Sequence, residues 1–153
     1  ILPGYNLRST EINAQLGLSQ LGKMDGFIES RRNNAEYFRN IFSTHPLLQL
    51  QVENGASSWF GFSLVLKEQA VGLRNELCDF LERKGIENRP VVAGDFTKHE
   101  VIKYFDYEIE GKLESANKVD QCGLYLGNHH FSLKKEIDYA YEKINSFLED
   151  KIS

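Results

Sequence analysis

The sequence lacks what several broad classes of protein require. Its two cysteines, Cys78 and Cys122, lie far apart and without ligand-like spacing. That argues against a disulfide scaffold and for reduced, buried thiols in a cytosolic protein. No apolar run approaches the roughly 20 residues of a membrane-spanning helix, and nothing at the start reads as a signal peptide. Base does not outnumber acid. With 18 lysines and arginines against 22 aspartates and glutamates, the net charge is −4, a poor surface for nucleic acid. There is no P-loop, no CxxC pair and no Ser-His-Asp order. Repeats, low-complexity segments and interdomain linkers are missing too.

What is present is a soluble globular composition, 41% hydrophobic and 26% charged, over a length that suits one domain. The pattern predicts a single domain over 1–153, with a loop and long helix in 1–44 and an α+β sandwich in 45–153. Position 1 is not Met, and the chain starts inside a motif at Ile1-Leu2-Pro3, as expected of one domain of a larger protein.

Pro3-Gly4 opens an extended polar run that holds Tyr5, Asn6 and Arg8. Ser9 and Thr10 can cap a helix, and Glu11 follows where the helix dipole favours an acid. Ile12, Leu16, Leu21, Met24 and Ile28 recur at helical spacing. Such a donor-rich loop at a helix N-terminus can hold an anion, although an ordinary capped helix explains it as well. The helix is expected from about Ser9 to Thr44, bent or broken near Gly22–Gly26, where glycines weaken it. Ala35, Phe38, Ile41 and Phe42 should face inward, with Arg31, Arg32, Asn33 and Asn34 toward water. His45-Pro46 ends it, since the residue before proline is pushed out of the helical region.

Leu48, Leu50 and Val52 alternate with polar residues, Asn54-Gly55 signals a turn, and Ser58 to Leu66 alternates again, which together predict a hairpin. In the second strand Phe60, Phe62, Leu64 and Leu66 should point one way and Trp59, Gly61, Ser63 and Val65 the other. A helix carrying Leu73, Leu77, Phe80 and Leu81 should end at Gly85, placed for a left-handed cap. Ile86 to Val92 reads as a strand that Pro90 restricts to an edge. After an irregular stretch over 93–111, a polar helix over 112–121 precedes a strand from Cys122 to Gly127. Ser132 can cap a last helix with Ile137, Ala140, Ile144, Phe147 and Leu148 inward. The fold class is therefore α+β, with about four short, mainly antiparallel strands and packed helices.

Three groups could carry chemistry: Asn6 and Arg8 at the helix start, Arg89-Pro90 leading into Val92-Ala93-Gly94-Asp95-Phe96, and Asn128-His129-His130 after a strand. On spacing alone each is weak. A lone strand arginine is more often in a surface ion pair. Adjacent histidines in extended chain point their rings apart, and without a third ligand no metal site is assigned.

Residues 3–40 join Gly4, Tyr5, Asn6, Arg8, Ala14, Gly17, Gln20, Leu21, Arg31, Asn34, Ala35 and Tyr37 in one pattern. This resembles the DegT/StrS family of pyridoxal-phosphate sugar aminotransferases, with a departure at Gln15, where a second Ala is usual. Gly85-Ile86-Glu87-Asn88-Arg89-Pro90, Ala93-Gly94-Asp95-Phe96, Lys103-Tyr104-Phe105 and Gly127-Asn128-His129-His130 resemble its nucleotide-sugar 4-keto-6-deoxyhexose 3-dehydratase branch. Asp95 stands where that branch commonly has Asn.

The resemblance implies the small C-terminal domain of the aspartate-aminotransferase fold, in a homodimeric, cytoplasmic enzyme of deoxysugar and lipopolysaccharide O-antigen biosynthesis. The cofactor would be pyridoxal 5'-phosphate or pyridoxamine 5'-phosphate, bound mainly by a large N-terminal domain. That domain would also supply the Schiff-base position, so no catalytic residue is assigned in this chain. In the dehydratase branch pyridoxamine phosphate joins C4 of the nucleotide-linked 4-keto-6-deoxy sugar, and the C3 hydroxyl leaves. Asn6 and Arg8 are then expected to bind cofactor phosphate across a dimer interface. Arg89 would bind an anion, either the carboxylate of glutamate as amino donor or the substrate. Asn128, His129 and His130 would touch the sugar or close the cleft; for the two histidines, bonding the strand end explains them equally well. Two other functions stay open: a sugar aminotransferase of the same family, and a free-standing α+β binding module. An iron–sulfur variant of the dehydratase would carry its cysteines upstream.

Overall fold

Hydrophobic residues at alternating positions of two central strands and along single stripes of three helices bury one face of a four-stranded sheet. The computed structural model describes residues 10–152; Asn6 and Arg8 lie outside the described residues. The helices are α1 (Glu11–Leu21), α2 (Met24–Phe42), α3 (Arg74–Arg83), α4 (Glu114–Cys122) and α5 (Lys134–Ile152). The strands are β1 (Leu48–Leu50), β2 (Gly61–Leu66), β3 (Asn88–Pro90) and β4 (Gly123–Gly127), in the order β1-β2-β4-β3 with every pairing antiparallel. Phe62, Leu64 and Leu66 of β2 and Leu124 and Leu126 of β4 point into the core. Phe38 and Phe42 of α2, Leu77 and Leu81 of α3 and Ile144 and Leu148 of α5 meet them there. Phe38 stacks on both Phe42 and Phe62 at centroid separations of 4.4 and 4.5 Å.

The expected break in the long helix falls at Gly22–Lys23. Thr10 caps α1 as predicted, accepting from the Asn13 N–H. The apolar residues of α1 bury nothing, however: Ile12, Leu16 and Leu21 are all exposed. Helix α2 is instead part of the sandwich core. Gly85 closes α3 in the left-handed region at φ 77°, and Pro90 lies on the β3 edge, where a missing N–H costs no ladder bond. Both cysteines are free. The 93–111 stretch forms two short 3-10 turns, Phe96–Lys98 and Glu100–Tyr104.

The β1–β2 hairpin forms, but its connection runs over 51–60 rather than through a tight Asn54-Gly55 turn. Alternation also fails at the start of β2. Trp59 is 5% exposed and Phe60 78%, the reverse of the expected facing. Trp59 sits at φ 52°, a left-handed conformation that shifts the phase of the chain by one residue before the strand begins.

Candidate functional site

The side chains expected on the water side of α2 reach across the molecule. Arg31 donates through Nε to the carbonyls of Ser58 and Trp59, and through Nη2 to Trp59 at 2.9 Å. Arg32 takes the carbonyls of Ala56 and Ser57. Asn34 is 3% exposed and donates toward Asn128 Oδ1 and the carbonyls of His129 and Phe131, while its Oδ1 accepts the Leu133 N–H. The expectation that Arg31 and Asn34 face water is therefore corrected, while Arg32 and Asn33 are exposed as expected. A helix-facing count sees only the core stripe; it cannot see that a loop without its own hydrogen-bond partners will cover the polar side.

Asn128 completes this frame. Its Nδ2 donates to the carbonyls of Arg31 (3.0 Å) and Trp59 (2.9 Å), and its Oδ1 accepts from Asn34 and from the His129 N–H. An asparagine side chain has two donors and two acceptor positions, so protein groups fill all four. Asn128 shapes the site rather than offering an amide to a sugar. The strained backbone of Trp59 has a related purpose, since it aims one carbonyl at both Arg31 and Asn128.

His129 and His130 do not splay apart. Their rings lie 4.4 Å apart, within an aromatic group that includes Phe27 and Phe131. His129 Nδ1 accepts the His130 N–H, which supports the strand-end account of that residue. Among the described residues no cluster of histidine, cysteine or carboxylate could hold a metal ion.

On the face of the sheet away from the core, Arg89 pairs across the ladder with Tyr125, which in turn pairs with Ser63. A hollow of about 250 Å³ opens there beside Arg31, Phe60, Glu87, Arg89, Tyr125 and Asn128. Arg31 stands 5.9 Å from the Phe60 ring centroid and Tyr125 6.2 Å from it. Arg89 makes a 2.9 Å ion pair with Glu87. The structure thus brings two predicted residues, Arg89 and Asn128, to one hollow and leaves the two histidines beside α2. The sequence reading missed Arg31, Phe60 and Tyr125. The exposed phenylalanine was recoverable only by knowing the left-handed turn at Trp59.

The loop after β3 is pinned to α4. Asp95 is 3% exposed and accepts from the Thr97 N–H and hydroxyl. Lys98 reaches Asp120 at 2.8 Å and, with a backbone bond from Asp95, holds the Asp120 carboxyl below its ordinary range. Asp95 therefore stabilises its own turn.

Residues 1–145 match the DegT/DnrJ/EryC1/StrS aminotransferase family. The chain belongs to this family. Among DegT/StrS relatives, it is 46% identical over 143 residues to the GDP-4-keto-6-deoxy-D-mannose 3-dehydratase of Escherichia coli O55:H7, covering 93% of this chain and 37% of that protein. It is 28% identical over 151 residues to a GDP-perosamine synthase of Escherichia coli O157:H7, covering 97% of this chain and 39% of that one. A solved structure of GDP-4-keto-6-deoxymannose-3-dehydratase with a trapped PLP-glutamate geminal diamine superposes with a TM-score of 0.88 at 46% identity, over 94% of this chain and 38% of that chain. The chain thus spans a little over a third of the length of the relatives it matches. The fold is that of the DegT/StrS enzymes, as the motifs implied. Among the described residues, the lining of this hollow includes no lysine, histidine or aspartate.

Proposed function

We propose that this chain is the small C-terminal domain of a pyridoxal-phosphate-dependent 3-dehydratase acting on a GDP-linked 4-keto-6-deoxyhexose. The observation that carries this is the graded likeness across nearly the same residues: 46% identity to the dehydratase against 28% to the perosamine synthase. The runs that distinguish the dehydratase branch, Gly85 to Phe96 and Tyr125 to His130, are also those that frame the hollow on the open face. In this reading Arg89 and Arg31 supply positive charge to the substrate or to the carboxylate of glutamate, and Asn34 with Asn128 holds Arg31 in place. Asn6 and Arg8 reach the cofactor phosphate of a neighbouring subunit. The whole enzyme is a cytoplasmic homodimer whose large domain holds the cofactor. No described helix is long and apolar enough to cross a membrane.

The test is the full-length protein incubated with the GDP-linked keto sugar, pyridoxal phosphate and glutamate. Loss of the C3 hydroxyl in the product supports the dehydratase. Gain of an amino group at C4 instead makes it an aminotransferase. A gene in which these residues follow their own start codon would favour the free-standing binding module and sink both enzymes.

A further inference from the structure

We propose that Asn54-Gly55, at the tip of the β1–β2 connection, is a site of covalent self-modification, where the asparagine becomes isoaspartate or aspartate through attack by the nitrogen of the glycine. This is independent of the function proposed above.

Residue order is the first reason. Asparagine is a thermolabile side chain, and its Cγ can meet the nitrogen of the next residue in a five-membered ring. A Cβ on that next residue crowds the approach, and glycine has none. Asn54 is the only asparagine in the sequence that a glycine follows.

Backbone freedom is the second. Ring closure needs the dihedrals on both sides of the Asn54–Gly55 peptide bond to turn, which a helix or a ladder forbids. Every other described asparagine lies in a helix or in β3, except Asn128, whose amide is fully bonded. Asn54 and Gly55 are exposed and belong to no helix or strand. Among the described residues nothing bonds the Asn54 side chain or the Gly55 N–H. A Cβ built on Gly55 would meet no atom within 4 Å, so there is room for the ring.

Anchoring is the third, and it sets the reach of the change. Glu53 Oε1 accepts the Ser57 N–H at 2.6 Å. Arg32 holds the carbonyls of Ala56 and Ser57, and Arg31 those of Ser58 and Trp59. The loop is thus fastened below a free tip, the kind of place where alteration is tolerated. Trp59 keeps its conformation when the tip changes.

The step balances with water alone. The Gly55 nitrogen gives its proton to hydroxide and bonds to Asn54 Cγ. The Cγ–Nδ2 bond breaks, and Nδ2 takes a proton from water and leaves as ammonia, restoring the hydroxide. Water then opens the succinimide. Opening at Cγ gives aspartate; opening at the Asn54 backbone carbonyl gives isoaspartate, with the chain running through Cβ and Cγ. Either product exchanges –NH2 for –OH and adds a carboxylate beside Glu53.

The experiment incubates the full-length protein, folded and in urea, at neutral and at mildly alkaline pH. Peptide mass spectrometry locates the exchange, and methyl transfer from S-adenosylmethionine by a protein-isoaspartate methyltransferase counts isoaspartate. In the folded protein Asn54 should convert ahead of every other described asparagine, and faster at the higher pH. Gly55→Ala should slow this roughly tenfold, as its Cβ hinders the attack. Asn54→Asp should gain no methyl groups in that peptide. Three outcomes would overturn the proposal: Asn54 intact in the folded protein while it converts in urea, a wild-type rate in Gly55→Ala, or earlier conversion of another described asparagine. The converted protein should keep its urea midpoint, and a lowered one would overturn the confinement of the change to the tip.

Discussion

Asn34 and Asn128 meet amide to amide, the Nδ2 of the first 3.1 Å from the Oδ1 of the second, and so join the middle of α2 to the end of β4. Through that contact the Arg31 and Trp59 carbonyls, the His129 N–H and the Leu133 N–H share one buried network. Groups left unpaired inside such a network cost more than the bonds themselves contribute.

Asn34→Ala should accordingly destabilise the protein by about 3 kcal/mol, since it strands several buried polar groups at once. Urea unfolding measures this. A change below about 0.5 kcal/mol, the level of an ordinary surface substitution, would show that the network is not structural. Asn34→Leu should cost no less, because the same carbonyls lose their donor.

Stability should also fall on mild acidification, through His45. Its ring is buried and accepts the Leu47 N–H at Nδ1. Burial lowers its pKa from the ordinary 6.5, with a bond involving Asn145 and the charge of Glu149 opposing the shift. The unfolded chain then binds the proton more readily than the folded one. The stabilisation is complete above 6.5 and is lost as pH falls below it toward the folded value. Thermal midpoints taken from pH 7.5 down to 5.5 should decline, and His45→Gln should flatten that slope. An identical slope in the variant would remove His45 as the cause.

Gly61→Ala should weaken the hairpin, because its Cβ would press on the Leu126 carbonyl and the Tyr125 ring. A forced backbone shift of this kind costs about 1–3 kcal/mol. A wild-type unfolding midpoint would mean that Tyr125 moves aside freely.

The chain by itself should not bind pyridoxal phosphate tightly, since the described lining offers it neither lysine nor paired acid. Absorbance near the pyridoxal band should show no saturable, stoichiometric complex. In the full-length protein Arg8→Ala should weaken cofactor or substrate binding, and unaltered kinetics would remove Arg8 from that site.

Much of the fold was legible because its signals are local. The periodicity of Phe62, Leu64 and Leu66, the glycine after α3 and the edge proline at Pro90 each state their environment within a few residues. The site was less legible for a physical reason. Arg31 and Asn34 look solvated by helical spacing, yet their partners at 58–59 and 128–133 are far away in the chain. Phe60 looks like core by alternation until one left-handed residue reverses it. The motif around Arg89 pointed to the right strand; the hollow's aromatic side needed the coordinates.

The sheet's two borders have a consequence for the chain in concentrated solution. Both outer strands are three residues long, and one ends in a proline with no N–H to offer. Edges so brief are poor templates for adding a strand from another copy. The exposed side chains of α1 can still make molecules adhere, but that adhesion would join surfaces and not extend a ladder. Aggregates of this protein should therefore be amorphous and reversible rather than fibrillar.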